Sequence, residues 1–272
     1  MKNLFLFLFL LVVFTSKAQD NRVSGLNSRQ FTKYWKVESE SPDYKVTFQG
    51  DTAEIVSPKG LTLWRKEKMS GKVTIEYDAC VVVESDGDRL SDLNCFWMAS
   101  DPQYPDNLWK REKWRSGIFL NCYSLQLYYL GYGGNHNSTT RFRRYDGDES
   151  GITNPKARPA ILKEYTDAGH LLKPNHWYHI KITNENNRVS YYIDGERLVD
   201  FRDAEPLREG WFGFRTTLSR TRITNFSYEC SSQEATAVPL QWIGETPRQD
   251  KVVSFGVLFD KGGSFRTDTA IC

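Results

Sequence analysis

The chain of 272 residues lacks several features that would place it in a class at once. No stretch of useful length carries the 3.6-residue apolar period of a helix, so a helical bundle is excluded. Five cysteines are present (Cys80, Cys95, Cys122, Cys230 and Cys272), but none forms a C-x-x-C, and the spacings fit no zinc pattern. The formal net charge is only +2, too small for the polycationic signature of nucleic-acid binding. The apolar run at the N-terminus is too short to span a membrane, so no membrane partner is expected once it is removed. Neither Asp86-Gly87-Asp88 nor Asp146-Gly147-Asp148-Glu149 is long enough for a calcium-loop signature; plain turns are expected there, with no metal site and no cofactor assigned.

What is present begins with residues 1–18, which read as a signal peptide. Lys2 supplies a positive start, Leu4 to Phe14 an apolar core, and Ser16-Lys17-Ala18 an A-x-A-like cleavage site. No cysteine lies beside that site, which argues against a lipid anchor. The expectation is a periplasmic or secreted protein of about 250 residues, enough for one large β domain. Export permits disulfides. Cys80, Cys95 and Cys122 each fall within an apparent strand, where buried free thiols are the simpler reading. Cys80 with Cys95, or Cys122 with Cys230, can pair only if their Cα atoms come within about 7 Å.

Aromatic residues make up 14% of the chain, and most sit in short alternating segments. His176 to Ile182 alternates rings or aliphatic groups with polar ones, and Asn184 to Asn187 reads as a turn. Arg188 to Ile193 follows, with Asp194-Gly195 as a hairpin signal. Gly210 to Arg215 and Thr221 to Tyr228 read as two further strands. Upstream, strands are expected at Tyr34–Glu38, Tyr44–Phe48, Thr52–Val56, Leu61–Trp64, Gly71–Val83 and Asn94–Ala99. A hairpin of Gly117–Cys122 with Ser124–Leu130 follows the loop Ser100–Trp114. Many short strands punctuated by turns favour an all-β sandwich of two antiparallel sheets. That domain is expected over 19–230, with a small polar linker at 231–237. Residues 238–272 then read as the incomplete start of a second β domain, or as an extension packing on the first.

The densest polar and aromatic segment is Tyr128 to Gly147. Its glycines permit a tight loop and close approach of backbone to a ligand. On the strand that starts near Thr139, Thr139, Arg141, Arg143 and Tyr145 point one way, and Thr140, Phe142 and Arg144 the other. If Phe142 enters the core, Arg141, Arg143 and Tyr145 line an open face. Paired guanidinium groups suit an anionic sugar, because each can hold a carboxylate through two parallel hydrogen bonds.

The order W-Y, Y-x-D-G, G-x-x-G-F-R and closing strand resembles the concanavalin A-like jelly roll of lectins, laminin-type domains and several polysaccharide-cleaving enzymes. With F-W-M-A-S-D-P (Phe96 to Pro102) and T-T-R-F-R-R-Y-D-G (Thr139 to Gly147), the stretch from Tyr34 to Glu229 resembles an uncharacterised concanavalin A-like family of Bacteroidetes polysaccharide-utilisation proteins. That resemblance implies an exported protein acting on a polysaccharide or oligosaccharide; it brings no catalytic residues. Many jelly rolls bind calcium, so a structural calcium on the Asp86 or Asp146 turn is the one ion the resemblance would add. Val238 to Gly244 and Val253 to Val257 resemble the opening of the N-terminal barrel of exo-acting rhamnogalacturonan lyase-like proteins, with Leu258 where that family has proline. This implies a partial gene product.

Jelly-roll lyases imply one mechanism, removal of the C5 proton of a uronic acid with expulsion of the 4-linked sugar. A basic or amide side chain neutralises the carboxylate, and Tyr or His takes the proton. Here Arg141 and Arg143 would neutralise, Asn135 and Asn137 would help bind, and His136, Tyr132 or Tyr145 would move the proton. Trp97, Trp109 and Trp114 are expected as platforms for pyranose rings. The alternative is a non-catalytic carbohydrate-binding module that targets a larger enzyme. A glycoside hydrolase needs two carboxylates about 5–10 Å apart. Glu76 and Asp78 alternate on one strand, but no third acid follows.

Overall fold

The computed structural model describes residues 23–231 and, beyond them, two short strands, Leu258–Phe259 and Phe265–Arg266. The signal peptide expected at 1–18, nearly all of the linker, most of 238–272 and Cys272 lie outside the described residues. The chain divides into two units, 1–233 and 234–272. Within the second, the two short strands pair antiparallel, Leu258 opposite Arg266.

Among its described residues the first unit has fourteen strands: β1 (Val23–Ser24), β2 (Trp35–Ser39), β3 (Lys45–Gln49), β4 (Thr52–Arg65), β5 (Met69–Ser70), β6 (Lys72–Val81), β7 (Leu93–Ser100), β8 (Gln126–Gly133), β9 (Thr139–Asp146), β10 (Lys163–Tyr165), β11 (Tyr178–Glu185), β12 (Arg188–Ile193), β13 (Glu196–Arg202) and β14 (Glu209–Ser231). Period-two patterning drives them. In β6, Val73, Ile75, Tyr77 and Ala79 are buried, while Thr74, Glu76 and Asp78 between them are not.

All pairings are antiparallel. Two long strands, β4 and β14, belong to both layers of the sandwich. Gly213 of β14 faces Trp64 of β4, and further along Ile223 faces Ala53. Between these points the register slips at Thr217–Ser219, where exposed Leu218 adopts φ 49°. This bulge bends the pair and carries it from one layer to the other. The first layer runs β2, β4, β14, β7, β8, β9, β10; the second runs β3, β4, β14, β6, β11, β12, β13.

Rings from strands that share no hydrogen bonds close the core between the layers. Trp97 of β7 meets Tyr191 of β12 at 6.1 Å, Phe142 of β9 meets Phe201 of β13 at 5.5 Å, and Tyr132 of β8 meets Tyr178 of β11 at 5.1 Å. The Tyr128 hydroxyl donates to Asp203 Oδ2 at 2.6 Å across the same gap. The all-β sandwich of antiparallel sheets is therefore borne out.

Several local expectations are corrected. Thr52–Val56 and Leu61–Trp64 are one strand, as are Gly210–Arg215 and Thr221–Tyr228. A strand at Glu196–Arg202 joins the four expected near the C-terminus. Gly117–Cys122 is no hairpin arm; Leu120–Ser124 is a 3-10 turn. Asp194 (φ 50°) and Gly195 (φ 84°) make the expected tight hairpin, both in the left-handed conformation such a turn needs. Cys80, Cys95, Cys122 and Cys230 are all free thiols, so neither candidate disulfide forms.

Candidate functional site

The outer face of the first layer is half covered and half open. The cover is the segment between β7 and β8, whose Leu108, Cys122, Tyr123 and Leu125 pack with Trp64, Phe96, Leu127, Tyr129, Tyr145 and Trp211 into a second apolar cluster. A buried ionic network fastens it. Arg115 donates to Glu38 Oε2 of β2 at 3.0 Å and to the Leu108 carbonyl at 2.7 Å. Asp101 receives two bonds from Arg111, at 2.7 and 3.0 Å. Gly117 (φ 70°) lets the segment touch β2, since a Cβ there would lie 2.7 Å from the Ser39 Cα.

Beyond this cover a groove of about 450 Å³ runs over β14, β7, β8 and β9. Strand alternation supplies its floor: Arg215, Asn94, Tyr129 and Gly131, then Thr139, Arg141 and Arg143. Phe142, between the two arginines, is buried in the core, which turns both outward as expected. Phe119, Leu120 and Tyr123 form one wall, and Gly134, Asn135 and His136 another. Arg89, Arg158, Glu40, Asp92 and Thr217 complete it. Five arginines against two carboxylates give this groove a formal excess of three positive charges.

The arginines differ in what already holds them. Arg89 pairs with Asp92 at 2.6 Å. Arg141 pairs with Glu164 of β10. Buried Arg215 donates to the Gly117 carbonyl, with Glu40 3.9 Å away. Arg143 donates to the Pro159 carbonyl, and Arg158 to the Gly151 carbonyl at 3.4 Å.

The wall at 134–137 is a left-handed turn. Asn135, His136 and Asn137 have φ of 51°, 56° and 57°, closed by Ser138 N–H to the Gly134 carbonyl at 2.9 Å. Left-handed residues cost roughly 1–2 kcal/mol each, least for Asn. Asn137 offsets the cost by bonding both polar groups of the Leu172 backbone, at 2.9 and 2.8 Å. Asn135 donates to Thr139 Oγ1 at 3.3 Å, and His136 is exposed.

Of the residues singled out in the sequence, Arg141, Arg143, Asn135 and His136 line the groove together. Asn137 supports the turn from behind. Tyr145 faces the right side, yet it is completely buried beneath Tyr123 and Tyr129, at 5.2 and 5.8 Å between ring centres. Burial pushes its hydroxyl far above the ordinary tyrosine range. Tyr132 points into the core between the layers, where burial and then Tyr178 push it up as well. Neither hydroxyl is open to a ligand, which corrects the roles expected for them. Trp97 is likewise a core ring with no exposed surface. Trp109 packs edge-on against Trp211 at 6.1 Å. Trp114 is exposed, with Arg111 4.9 Å above its ring, but it lines no part of the groove.

Residues absent from the sequence reading also contribute: Arg89, Asn94, Arg158 and Arg215. Arg215 shares a strand face with Trp211 and Gly213 and alternates with the core rings Phe212 and Phe214, which was the available signal for its direction. Glu76 and Asp78 lie on the outer side of the second layer, paired with Lys181 at 3.0 Å and His179 at 2.7 Å. Among the described residues no group of three or more His, Cys, Asp or Glu is placed to hold a metal ion. Asp88 instead accepts the Glu84 and Ser85 N–H groups of its own turn.

Solved structures share this architecture. A protein of unknown function with a galectin-like fold from Bacillus subtilis superposes with a TM-score of 0.61 at 15% identity, over 78% of this chain and 96% of that one. The exoplasmic/lumenal domain of VIP36, in its Ca2+- and Man3GlcNAc-bound form, gives 0.52 at 8% identity, over 80% and 92%. The likeness is one of fold. Among curated proteins no match is found. A family model does match, over residues 55–226, from within β4 to within β14, and so takes in both layers and the groove floor. The chain belongs to the family of the domain of unknown function DUF6250.

Proposed function

We propose that this protein is an exported carbohydrate-binding module that holds a glycan in the groove on the outer face of its first layer. The observation that carries this reading is the groove itself. It is open and polar, walled by Phe119 and Tyr123, and floored by outward residues of four adjacent strands. Rings stack on the apolar faces of pyranoses, while Arg, Asn and carboxylate groups meet their hydroxyls; such mixed clefts are the usual form of small-ligand sites. The VIP36 exoplasmic/lumenal domain, which shares this fold, binds Ca2+ and Man3GlcNAc. The signal-like residues 1–18 support export to the periplasm or medium. Among the described residues no helix is long and apolar enough to cross a membrane. The test is titration calorimetry of the protein against a broad panel of plant, algal and host glycans. Saturable binding to one class, weakened by Arg141→Ala, is the expected result; no binding across the panel would sink the reading.

One observation favours a second reading, β-elimination. His136 is exposed on the same groove as Arg141 and Arg143. In that reading an arginine neutralises a uronate carboxylate, and the imidazole takes the C5 proton. Binding is preferred because the buried Tyr132 and Tyr145 can neither take a proton from a substrate nor return one to its leaving oxygen. Incubation with uronate polysaccharides tests elimination through the ultraviolet absorbance of the unsaturated product. A rise abolished in His136→Ala would establish a lyase, and a flat trace leaves the module.

A further inference from the structure

The five groove arginines are not equivalent, and their existing partners say where a ligand's negative charge would sit. Arg89 and Arg141 each carry an ion pair, with Asp92 and Glu164. Arg215 is buried against the Gly117 carbonyl. Arg143 and Arg158 remain. Among the described residues, neither is paired with a carboxylate; each makes a single hydrogen bond, to a backbone carbonyl. The two are also neighbours in space, because the carbonyl that Arg143 binds belongs to Pro159, the residue after Arg158. Both guanidinium groups act on the same tyrosine. Arg158 lies 5.9 Å from the centre of the Tyr123 ring; burial raises the Tyr123 hydroxyl above its ordinary value, and the charges of Arg158 and Arg143 partly oppose that rise.

We infer that Arg143 and Arg158 form a carboxylate clamp at the Tyr123 end of the groove, and that the module therefore selects uronate-bearing glycans. This rests on the carbohydrate reading above. It moves the anion site away from Arg141, which Glu164 already neutralises. A guanidinium has five N–H donors, and one bond to a backbone carbonyl leaves a fork free for a planar carboxylate. Tyr123, largely buried, then forms the wall beside the sugar that carries the acid group. Arg158 is exposed and makes one long hydrogen bond, so its replacement leaves the fold intact.

The test uses the full chain, Arg143→Gln and Arg158→Gln in affinity electrophoresis and calorimetry. The ligands are homogalacturonan, alginate, glucuronoxylan and hyaluronan, each also in carboxyl-reduced form, with a sulfated neutral glycan alongside. The expected result is binding to at least one uronate polymer. Carboxyl reduction should abolish it, and each substitution should weaken it about ten- to a hundredfold, as loss of a charge-assisted bond does. Arg143→Lys, which keeps charge but loses the fork, should recover only part. Equal binding of carboxyl-reduced polymers, or Arg158→Gln within twofold of the parent, would overturn the clamp while leaving a glycan module. Equal binding of the sulfated glycan would overturn selection for carboxylate in favour of charge alone. Binding to none of these ligands would overturn the clamp, and the same silence across neutral glycans would remove the carbohydrate reading with it.

Discussion

Replacing Arg115 by methionine should be among the most damaging single changes in this protein, and its cost should depend on pH. Arg115 has no exposed surface and spends its guanidinium on Glu38, on the Leu108 carbonyl and, at 3.8 Å, on Asp101. Methionine fills similar volume but leaves Glu38 buried without its cation. Breaking one side of a buried ion pair costs about 3–5 kcal/mol. With a urea slope of about 2–3 kcal/mol/M, the midpoint should fall by about 1–2 M. Burial already raises the Glu38 carboxyl above its ordinary value, and Arg115 opposes that rise. Without Arg115 the carboxyl climbs further. Between the unfolded pKa, about 4.3, and the higher folded one, the folded state holds more protons than the unfolded state, so stability falls as pH rises. The gap between parent and Arg115→Met should therefore be wider at pH 7 than at pH 5, because lowering the pH favours the protonated Glu38 that needs no cation. Urea titrations followed by tryptophan fluorescence at both pH values provide the assay. Glu38→Leu with Arg115→Met should recover most of the loss, because a well-packed apolar pair can match a buried ionic one. A cost below about 1 kcal/mol, or one that is the same at both pH values, would refute this account of how the β7–β8 segment is fastened.

Other consequences are open to simple assays. Asn137→Ala removes two bonds to Leu172 and puts alanine at φ 57°, so it should cost about 2–3 kcal/mol in denaturant titrations. His170 loses proton affinity to burial but gains more from Asp167 and Glu196, so its pKa is raised. Its contribution, no more than about 1 kcal/mol, is complete below the unfolded value near 6.5 and lost as pH rises through the folded one. His170→Asn should thus lower the thermal midpoint at pH 5.5 and leave it nearly unchanged at pH 8.5. Burial pushes the Cys95 and Cys122 thiols up to about 12, so neither should react with a disulfide reagent at pH 8 until the protein unfolds. Cys230, only partly buried, should be the first described thiol to label.

The strands were legible because their burial follows local alternation. Phe142 between Arg141 and Arg143 fixed the outward direction of both arginines from sequence alone. Continuity was harder to read. Thr52–Val56 and Leu61–Trp64 were expected as separate strands, yet β4 runs through Pro58 and Gly60 because β14 bends with it at Leu218. The fate of the outer face was not legible, because it depends on a distant segment folding over it. Tyr145 shares its face with the groove arginines, and only the cover carrying Tyr123 makes it a core residue. Trp97 was expected as a platform, but Phe142 and Tyr191, both distant in sequence, enclose it in the core. Arg158 sits in an irregular segment without periodicity, so no pattern could aim it at Arg143.

The central claim is that the groove is where a glycan binds, and blocking it without altering any charge tests that most directly. Gly134 lines the groove, and a Cβ there would meet nothing closer than 3.7 Å, so a larger side chain fits its backbone. Calorimetric titration of the parent and of Gly134→Phe with the best glycan from the panel should show saturable binding in the first and at least a tenfold loss in the second, equivalent to about 1.4 kcal/mol. An unchanged affinity in a normally folded Gly134→Phe would contradict the account and move the binding surface elsewhere on the sandwich.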